Sequence, residues 1–144
     1  MRVLVMTVCL IQVLGSRVYA KECTLRDEEW IGHEYPSLKS WFNIYTSYKS
    51  YTPQCDDGFW AEGYTHAVVE MLSAHWKKLD DFERLARQDA AFRGFVLKHV
   101  DASADPDDLH KVLTNATRRC PREHRALCKS VANAVKAALK VSSE

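Results

Sequence analysis

The sequence lacks the short motifs that mark the common catalytic and cofactor-binding sites. It contains no C-x-x-C pair for thiol–disulfide exchange, no H-E-x-x-H zinc-binding motif and no G-x-S-x-G nucleophile turn. Only five glycines occur in 144 residues, and none belongs to a glycine-rich phosphate cradle. These absences argue against the corresponding redox, zinc-peptidase, hydrolase and nucleotide-dependent enzymes. We therefore predict a protein that is not an enzyme and uses no cofactor.

Long apolar runs are also scarce. After residue 20 no apolar run reaches eighteen residues, so we expect no transmembrane anchor in the mature chain. Residues 1–20 combine Arg2, an apolar run over Val3–Leu14 and a small residue, Ala20, at their end. This pattern is typical of a cleaved secretory signal peptide. We expect residues 21–144 to form a single helical domain that is secreted or periplasmic.

Neither sign of charge dominates the chain. The formal net charge of +1 includes Arg2 and Arg17, so the mature chain has a net charge near −1 and no overall attraction to nucleic acid. The charges are nevertheless unevenly distributed. Residues 56–109 contain twelve acidic side chains and six Lys or Arg, whereas residues 118–140 contain seven Lys or Arg and one Glu. Either two oppositely charged faces attract each other within the domain, or the last helix carries a basic docking surface.

Helical periodicity dominates the mature chain. Apolar residues recur three and four positions apart, which predicts amphipathic helices rather than strands. The predicted class is an all-α, compact, disulfide-stapled bundle of five or six helices with an aromatic centre. The predicted helices cover 36–50, about 59–77, 80 or 81 to 88, 89–100, 105–119 and 123–140.

Two local signals in these helices are specific. Asp105 is a favourable N-cap, Pro106 suits the first helical position, and the acidic residues at 107 and 108 oppose the helix dipole. Gly63 lies in the middle of the 59–77 helix and costs it about 1 kcal/mol relative to Ala. We predict that a large ring or another backbone packs closely against Gly63.

Four cysteines remain once Cys9 is removed with the signal peptide, and they allow three disulfide pairings. Cys120 ends one predicted helix, and Cys128 lies in the second turn of the next. A Cys120–Cys128 bridge across this corner is favoured, which leaves Cys23 to pair with Cys55. Each bridge should contribute about 2–4 kcal/mol. The spacing of seven residues between Cys120 and Cys128 is not typical of a zinc site.

Glu62, His66 and Glu70 are spaced four residues apart and share one face of the 59–77 helix. They form a possible functional face, either as metal ligands or as a general base oriented by a carboxylate. A metal site would need a further ligand, such as His33 or His110. The alternative is a solvated face with helix-spaced ion pairs, which we favour, and we predict no metal.

Three other polar features favour structural roles. His99 falls on an apolar stripe beside Asp101, which favours an interior histidine over a catalytic one. The run Asp56–Gly58 lacks the remaining ligands of a calcium loop and is interpreted as a turn and helix cap. The triplet Asn115–Thr117 matches a glycosylation acceptor but lies inside a predicted helix.

Two segments carry a resemblance to a known family. The stretch Cys55–Tyr64 is similar to a cysteine-led helix with an aromatic residue and a glycine, and Cys120–Cys128 is similar to a closing helical hairpin. With the signal peptide and the small helical domain, the chain resembles the periplasmic immunity proteins of bacterial type VI secretion that neutralise peptidoglycan amidase effectors. The resemblance does not extend to the region before Pro36 or to the aromatic run Trp41–Tyr51, and it carries over no inhibitory loop.

The resemblance implies a protein that occludes the active site of a cell-wall hydrolase and performs no chemistry itself. The acidic stretch Asp101–Asp108 and the basic last helix are the candidate binding surfaces. The alternatives are an envelope-associated helical module, a carrier of a small apolar ligand and a small hydrolase that uses Glu62 and His66.

Overall fold

The computed structural model describes residues 23–52 and 54–143, and the predicted signal peptide lies outside them. The described residues form an all-α structure with two disulfides, which confirms the predicted class. Within these residues there are seven α-helices and three short 3₁₀ helices. The α-helices are α1 (Leu25–Glu34), α2 (Trp41–Tyr51), α3 (Gly58–Ala74), α4 (Leu79–Gln88), α5 (Ala90–Lys98), α6 (Pro106–Arg118) and α7 (Arg125–Val141). The 3₁₀ helices are Tyr35–Ser37, Trp76–Lys78 and Arg122–His124.

Helix α1 was not predicted from the apolar periodicity of the sequence. Its start is stabilised by reciprocal hydrogen bonds, in which the Thr24 amide donates to Asp27 at 3.1 Å and the Asp27 amide donates to the Thr24 hydroxyl at 3.2 Å. This is the geometry of a capping box, here with Asp in the position usually held by Glu or Gln. The signal for α1 is therefore a local hydrogen-bond motif rather than an apolar stripe.

Other helix boundaries differ from the prediction because polar side chains and 3₁₀ turns set them. Helix α2 begins at Trp41 rather than at residue 36, since the Ser40 hydroxyl accepts from the Asn43 amide at 3.1 Å and caps it. Helix α3 ends at Ala74, before the 3₁₀ helix Trp76–Lys78. Residues 122–124 also form a 3₁₀ helix, so α7 begins at Arg125.

The predicted cap of α6 is confirmed. The Asp105 carboxylate accepts from the amides of Asp107 and Asp108 at 2.8 and 3.3 Å, and Pro106 follows at the first helical position. Helix α4 has no such cap, because Asp80 and Asp81 lie in its first turn rather than at the N-cap position. The 3₁₀ helix before α4 leads directly into it, so the acidic residues act on the helix dipole instead.

Aromatic rings fill the middle of the core, as the sequence predicts. Contacts between rings connect α2, α4 and α5, and a further ring contact joins α3 to them. Among the phenylalanine, tyrosine and tryptophan rings the closest pairs, by centroid distance, are Trp41–Phe82 at 4.7 Å, Tyr45–Phe92 and Tyr48–Phe95 at 4.9 Å, and Tyr64–Phe95 at 5.0 Å. Each such pair contributes about 0.5–1.5 kcal/mol beyond its burial.

The predicted close packing at Gly63 is confirmed, and the group that packs there is a tyrosine ring. A Cβ atom at residue 63 would lie 2.7 Å from Cε2 of Tyr35, which is closer than atoms can approach. The glycine therefore allows the segment before α2 to lie directly on α3.

The disulfides join the pairs that the helix-corner argument favours. Cys120 and Cys128 link the end of α6 to α7, and Cys23 and Cys55 link the segment before α1 to the turn before α3. Their Cα atoms are 6.1 and 4.9 Å apart, respectively. Among the described helices, none is both long and apolar enough to cross a membrane.

Candidate functional site

Helices α3 and α6 lie side by side and run in the same direction. The first half of α3 faces the start of α6, since Glu62 and Asp108 line one cleft. The last turns also meet, because the side-chain amide of Asn115 donates to the carbonyls of Leu72 and Ser73, both at 3.0 Å. We call the contact between these helices the α3–α6 seam. Its two ends carry opposite charge.

The acidic end of the seam is a cleft of about 70 Å³ lined by Glu62, His66, Ser103, Asp105 and Asp108, with Val69. The structure thus brings together two features that the sequence singles out separately, the α3 face and the acidic stretch before α6. Two of these carboxylates already have partners. Asp105 caps α6, and Asp108 accepts from Lys111 at 2.8 Å, a contact that raises the pKa of Lys111.

The predicted functional face consists of Glu62, His66 and Glu70. His66 Nε2 lies 3.9 Å from a Glu70 carboxylate oxygen, and their side chains are 70% and 41% exposed. Neither His33 nor His110 joins them in any three-ligand cluster of the described residues. The contact between His66 and Glu70 is long and exposed to solvent, and a functional role for this face stays a prediction.

The basic end of the seam opens into a groove of about 560 Å³. Its lining combines the segment that follows α3 with the end of α6, namely Ser73, Ala74, His75, Trp76, Lys77, Lys78, Asn115 and Arg119. A second depression of about 340 Å³ shares Ser73, Asn115 and Arg119 and adds Asp107, His110, Lys111 and Thr114. We call the two together the basic groove.

Hydrogen bonds between its two sides hold the basic groove together. The Trp76 indole N–H donates to the carbonyl oxygen of Arg119 at 3.0 Å. Asn115 is only 4% exposed, and its side-chain oxygen accepts from the Arg119 guanidinium at 3.4 Å. Because its amide is committed to the end of α3, Asn115 is not accessible as a glycosylation acceptor in the folded chain.

Sequence reasoning did not identify the basic groove. It placed a possible basic surface on the last helix, whereas the groove is lined by residues 73–78 and by the side of α6. The run Trp76-Lys77-Lys78 was visible in the sequence. Its pairing with Arg119, which lies 43 residues away, depends on how α3 and α6 pack.

A buried polar network lies at the other side of α3. His99 is 1% exposed, with Nδ1 at 3.2 Å from the Thr65 hydroxyl and Nε2 at 2.9 Å from a carboxylate oxygen of Asp56. The Thr65 hydroxyl donates to Asp101 at 2.9 Å. The sequence prediction of an interior histidine is confirmed. This network holds the turn before α3 against the end of α5.

The two carboxylates of this network have perturbed acidities. Burial acts to raise the pKa of Asp56, but its contacts with His99 and with Lys98, at 2.8 Å, outweigh burial and hold the pKa below its ordinary value. Burial also acts to raise the pKa of Asp101. Hydrogen bonds from Ser103 and Thr65 outweigh burial, so this pKa is lowered as well. Both carboxylates are thereby stabilised in their charged form.

Within the described residues, one cluster contains three side chains of kinds that bind metal ions. Asp80, Glu123 and His124 place ligand atoms within 4.8 Å of one another. His124 is 7% exposed, its Nε2 contacts Asp80, and its buried Nδ1 has no hydrogen-bond partner. Metal-binding histidines usually donate their other N–H to an acceptor, which Nδ1 lacks here. We therefore interpret this contact as a hydrogen bond that ties the 3₁₀ helix Arg122–His124 to α4.

The aspartates at the turn before α3 have structural roles. Asp57 is the N-cap of α3, and its carboxylate accepts from the Gly58 amide at 2.7 Å. Gly58 has a positive φ of 52°, a conformation that suits glycine. The interpretation of this run as a turn and helix cap is confirmed.

Comparison of the chain with protein-family models, with curated proteins and with solved structures finds no match. The function is therefore inferred from the geometry of the described residues.

Proposed function

We propose that the protein is a secreted or periplasmic, non-enzymatic binding protein that docks a protein partner at the basic groove. The observation that carries this proposal is the groove itself, a concave surface of about 560 Å³ with an aromatic ring and several cations. Trp and Arg are the residue types enriched among the energetically dominant residues of protein interfaces. Trp76 and Arg119 are held in register by their mutual hydrogen bond, so little order needs to be gained on binding.

The more specific form of the proposal is an immunity protein that occludes the active site of a cell-wall hydrolase effector. The resemblance of the Cys55–Tyr64 and Cys120–Cys128 segments to such proteins supports it. The two disulfides suit an oxidising compartment outside the cytoplasm, where such effectors act. On this proposal the protein blocks a reaction by covering the enzyme and contributes no catalytic group.

The test is affinity capture from the native envelope with the exported chain, followed by binding measurements on the purified partner. We expect one stoichiometric partner whose affinity falls by at least about tenfold for Arg119→Ala and Trp76→Ala, because both remove interface anchors. The matched control is Lys136→Gln with Lys140→Gln, on α7 and outside the groove. A purified effector should also lose its hydrolytic activity on peptidoglycan when the protein is added.

Two results would overturn the proposal. One is the recovery of no partner at endogenous concentrations. The other is a partner that binds the groove variants and the α7 control variant equally well, since the groove would then play no part in recognition.

A further inference from the structure

We infer that the basic groove binds a carboxylate-rich segment of its partner, with Arg119 as the principal carboxylate-binding residue and Trp76 as the ring against which the segment lies. This inference rests on the proposed function and deepens it, because it specifies the chemistry of the docked surface.

The charges that face the basic groove are mostly positive. Its lining contains four Lys or Arg side chains, two histidines and a single carboxylate, Asp107. Among the described residues, Lys77, Lys78 and Arg119 make no ion pair with an acidic side chain. The exception among the groove cations is Lys111, which is paired with Asp108. Several cations are thus available to an acidic ligand.

Hydrogen bonds to neighbouring residues fix the position of Arg119, which is exposed. Its backbone carbonyl accepts from Trp76 Nε1, and one guanidinium nitrogen donates to the Asn115 side chain. Asn115 is itself held by two hydrogen bonds to the end of α3. The guanidinium keeps its other N–H donors, and its planar fork matches the two oxygens of a carboxylate. Asn115 therefore acts as a positioning residue for Arg119.

The direction of the helices favours carboxylates spread along a segment over a compact phosphate. Phosphate sites are commonly built on helix N-termini, where free backbone N–H groups and the positive end of the dipole face the ligand. The larger part of the groove instead lies at the C-terminal ends of α3 and α6, and its smaller part runs along the side of α6, whose first amides are already capped by Asp105. Attraction at this end must come from side chains. Flexible, separated cations suit an extended acidic segment whose carboxylates are also separated.

The experiment uses two peptide probes on the full mature protein with its disulfides intact. The acidic probe is acetyl-GEEDEEG-amide and the neutral probe is acetyl-GQQNQQG-amide. We follow the indole N–H resonance of Trp76, which reports the groove directly, and obtain affinities by titration. We expect the acidic probe to shift this resonance in a saturable way and the neutral probe to leave it unchanged. Binding should weaken with added salt, because exposed charges are screened.

Matched variants test the assignment of residues. Arg119→Gln, and separately Lys77→Gln with Lys78→Gln, should each weaken binding of the acidic probe by about tenfold. Lys136→Gln with Lys140→Gln removes the same charge from α7 and should change affinity by less than about twofold. The Lys77 and Lys78 side chains are exposed, so their replacement tests the inference even if Arg119→Gln disturbs folding.

Four results would overturn the inference. They are equal binding of both peptides, equal weakening by the α7 control, no response of Trp76, and displacement of the acidic probe by inorganic phosphate at equal concentration. These results are distinguishable from failure of the proposed function. If the acidic probe binds in the groove but envelope capture yields no partner, the proposed function fails alone. If a captured partner binds through the groove but the acidic probe does not, this inference fails alone.

Discussion

Both ends of the α3–α6 seam carry charged side chains, but these side chains have different roles at the two ends. At the acidic end, Asp105 is committed to the amides that begin α6, and Asp108 is committed to Lys111. At the basic end, Asn115 makes the structural hydrogen bonds, whereas Lys77 and Lys78 make no ion pair among the described residues. The difference separates charge that stabilises the fold from charge that is available to a ligand.

Helix dipoles explain why the charges are sorted in this way. Because α3 and α6 run in the same direction, both N-termini lie at one end and both C-termini lie at the other. Acidic residues are favourable at the first end and basic residues at the second, each by about 0.3–1 kcal/mol. In α6 the acidic residues of the first turn and the arginine of the last turn are placed as the helix dipole favours. A functional interpretation needs more than charge, and only the basic end adds a groove and a fixed aromatic ring.

The largest effect should follow the loss of the structural hydrogen bonds at the basic end. We expect Asn115→Ala to lower the free energy of unfolding by about 2–3 kcal/mol, because the carbonyls of Leu72, which is buried, and of Ser73, which is half-buried, lose their donor. Urea unfolding of residues 21–144 measures this. Asn133→Ala, on the exposed side of α7, is the control and should change stability by less than about 0.5 kcal/mol. A similar effect of the two substitutions would show that the Asn115 hydrogen bonds do not hold the seam.

An intermediate effect should appear on acidification. The pKa values of Asp56 and Asp101 are lowered in the folded state, so as the pH falls below about 4 the unfolded chain takes up these protons first. Their stabilisation is complete above the unfolded-state pKa and is lost as the pH falls through the folded-state pKa. Unfolding free energies measured as the pH is lowered from about 7 through about 4 and below follow this loss.

The control for the acid effect compares the two sides of the molecule. Asp101→Asn should flatten the dependence of stability on pH, because one of the linked protons is removed. Lys77→Gln with Lys78→Gln should leave the slope unchanged. If both variants alter the slope equally, the acid effect reflects overall charge rather than these carboxylates.

A smaller effect should follow removal of the cap at the acidic end. Asp105→Ala should cost about 1 kcal/mol, since two amides at the start of α6 lose their acceptor. Asp107→Ala is the matched control, because Asp107 lies in the same first turn but does not cap the helix. Thermal unfolding compares the two. Equal costs would mean that charge near the dipole, rather than capping, stabilises this end.

The smallest effect on stability should come from the cations of the basic groove. Lys77→Gln with Lys78→Gln should change the free energy of unfolding by less than about 0.5 kcal/mol, as expected for exposed side chains. The same variant should show the weakened binding described for the acidic peptide. A large loss of stability in urea unfolding would mean that these lysines stabilise the fold, as the charges of the acidic end do. The two ends would then no longer differ in the role of their charges.

Much of the fold was predictable because its signals are local. The helical period, the Asp105-Pro106 cap and the need for a close contact at Gly63 can all be inferred from neighbouring residues. Helix α1 was missed because its start depends on a Thr24–Asp27 exchange rather than on an apolar stripe. The candidate site was much less predictable. Trp76 and Arg119 meet only because α3 and α6 align their ends, and no local pattern encodes that alignment.

The sequence by itself determined the helical class, the placement of most helices and the favoured cysteine pairs, since periodicity, capping and helix corners act over a few residues. The tertiary structure alone decided which ring packs on Gly63, which groups surround His99, and which cations share a groove. These contacts join residues that lie 28 to 43 positions apart. Their partners are selected by how apolar faces pack, and packing depends on the whole core rather than on any single segment.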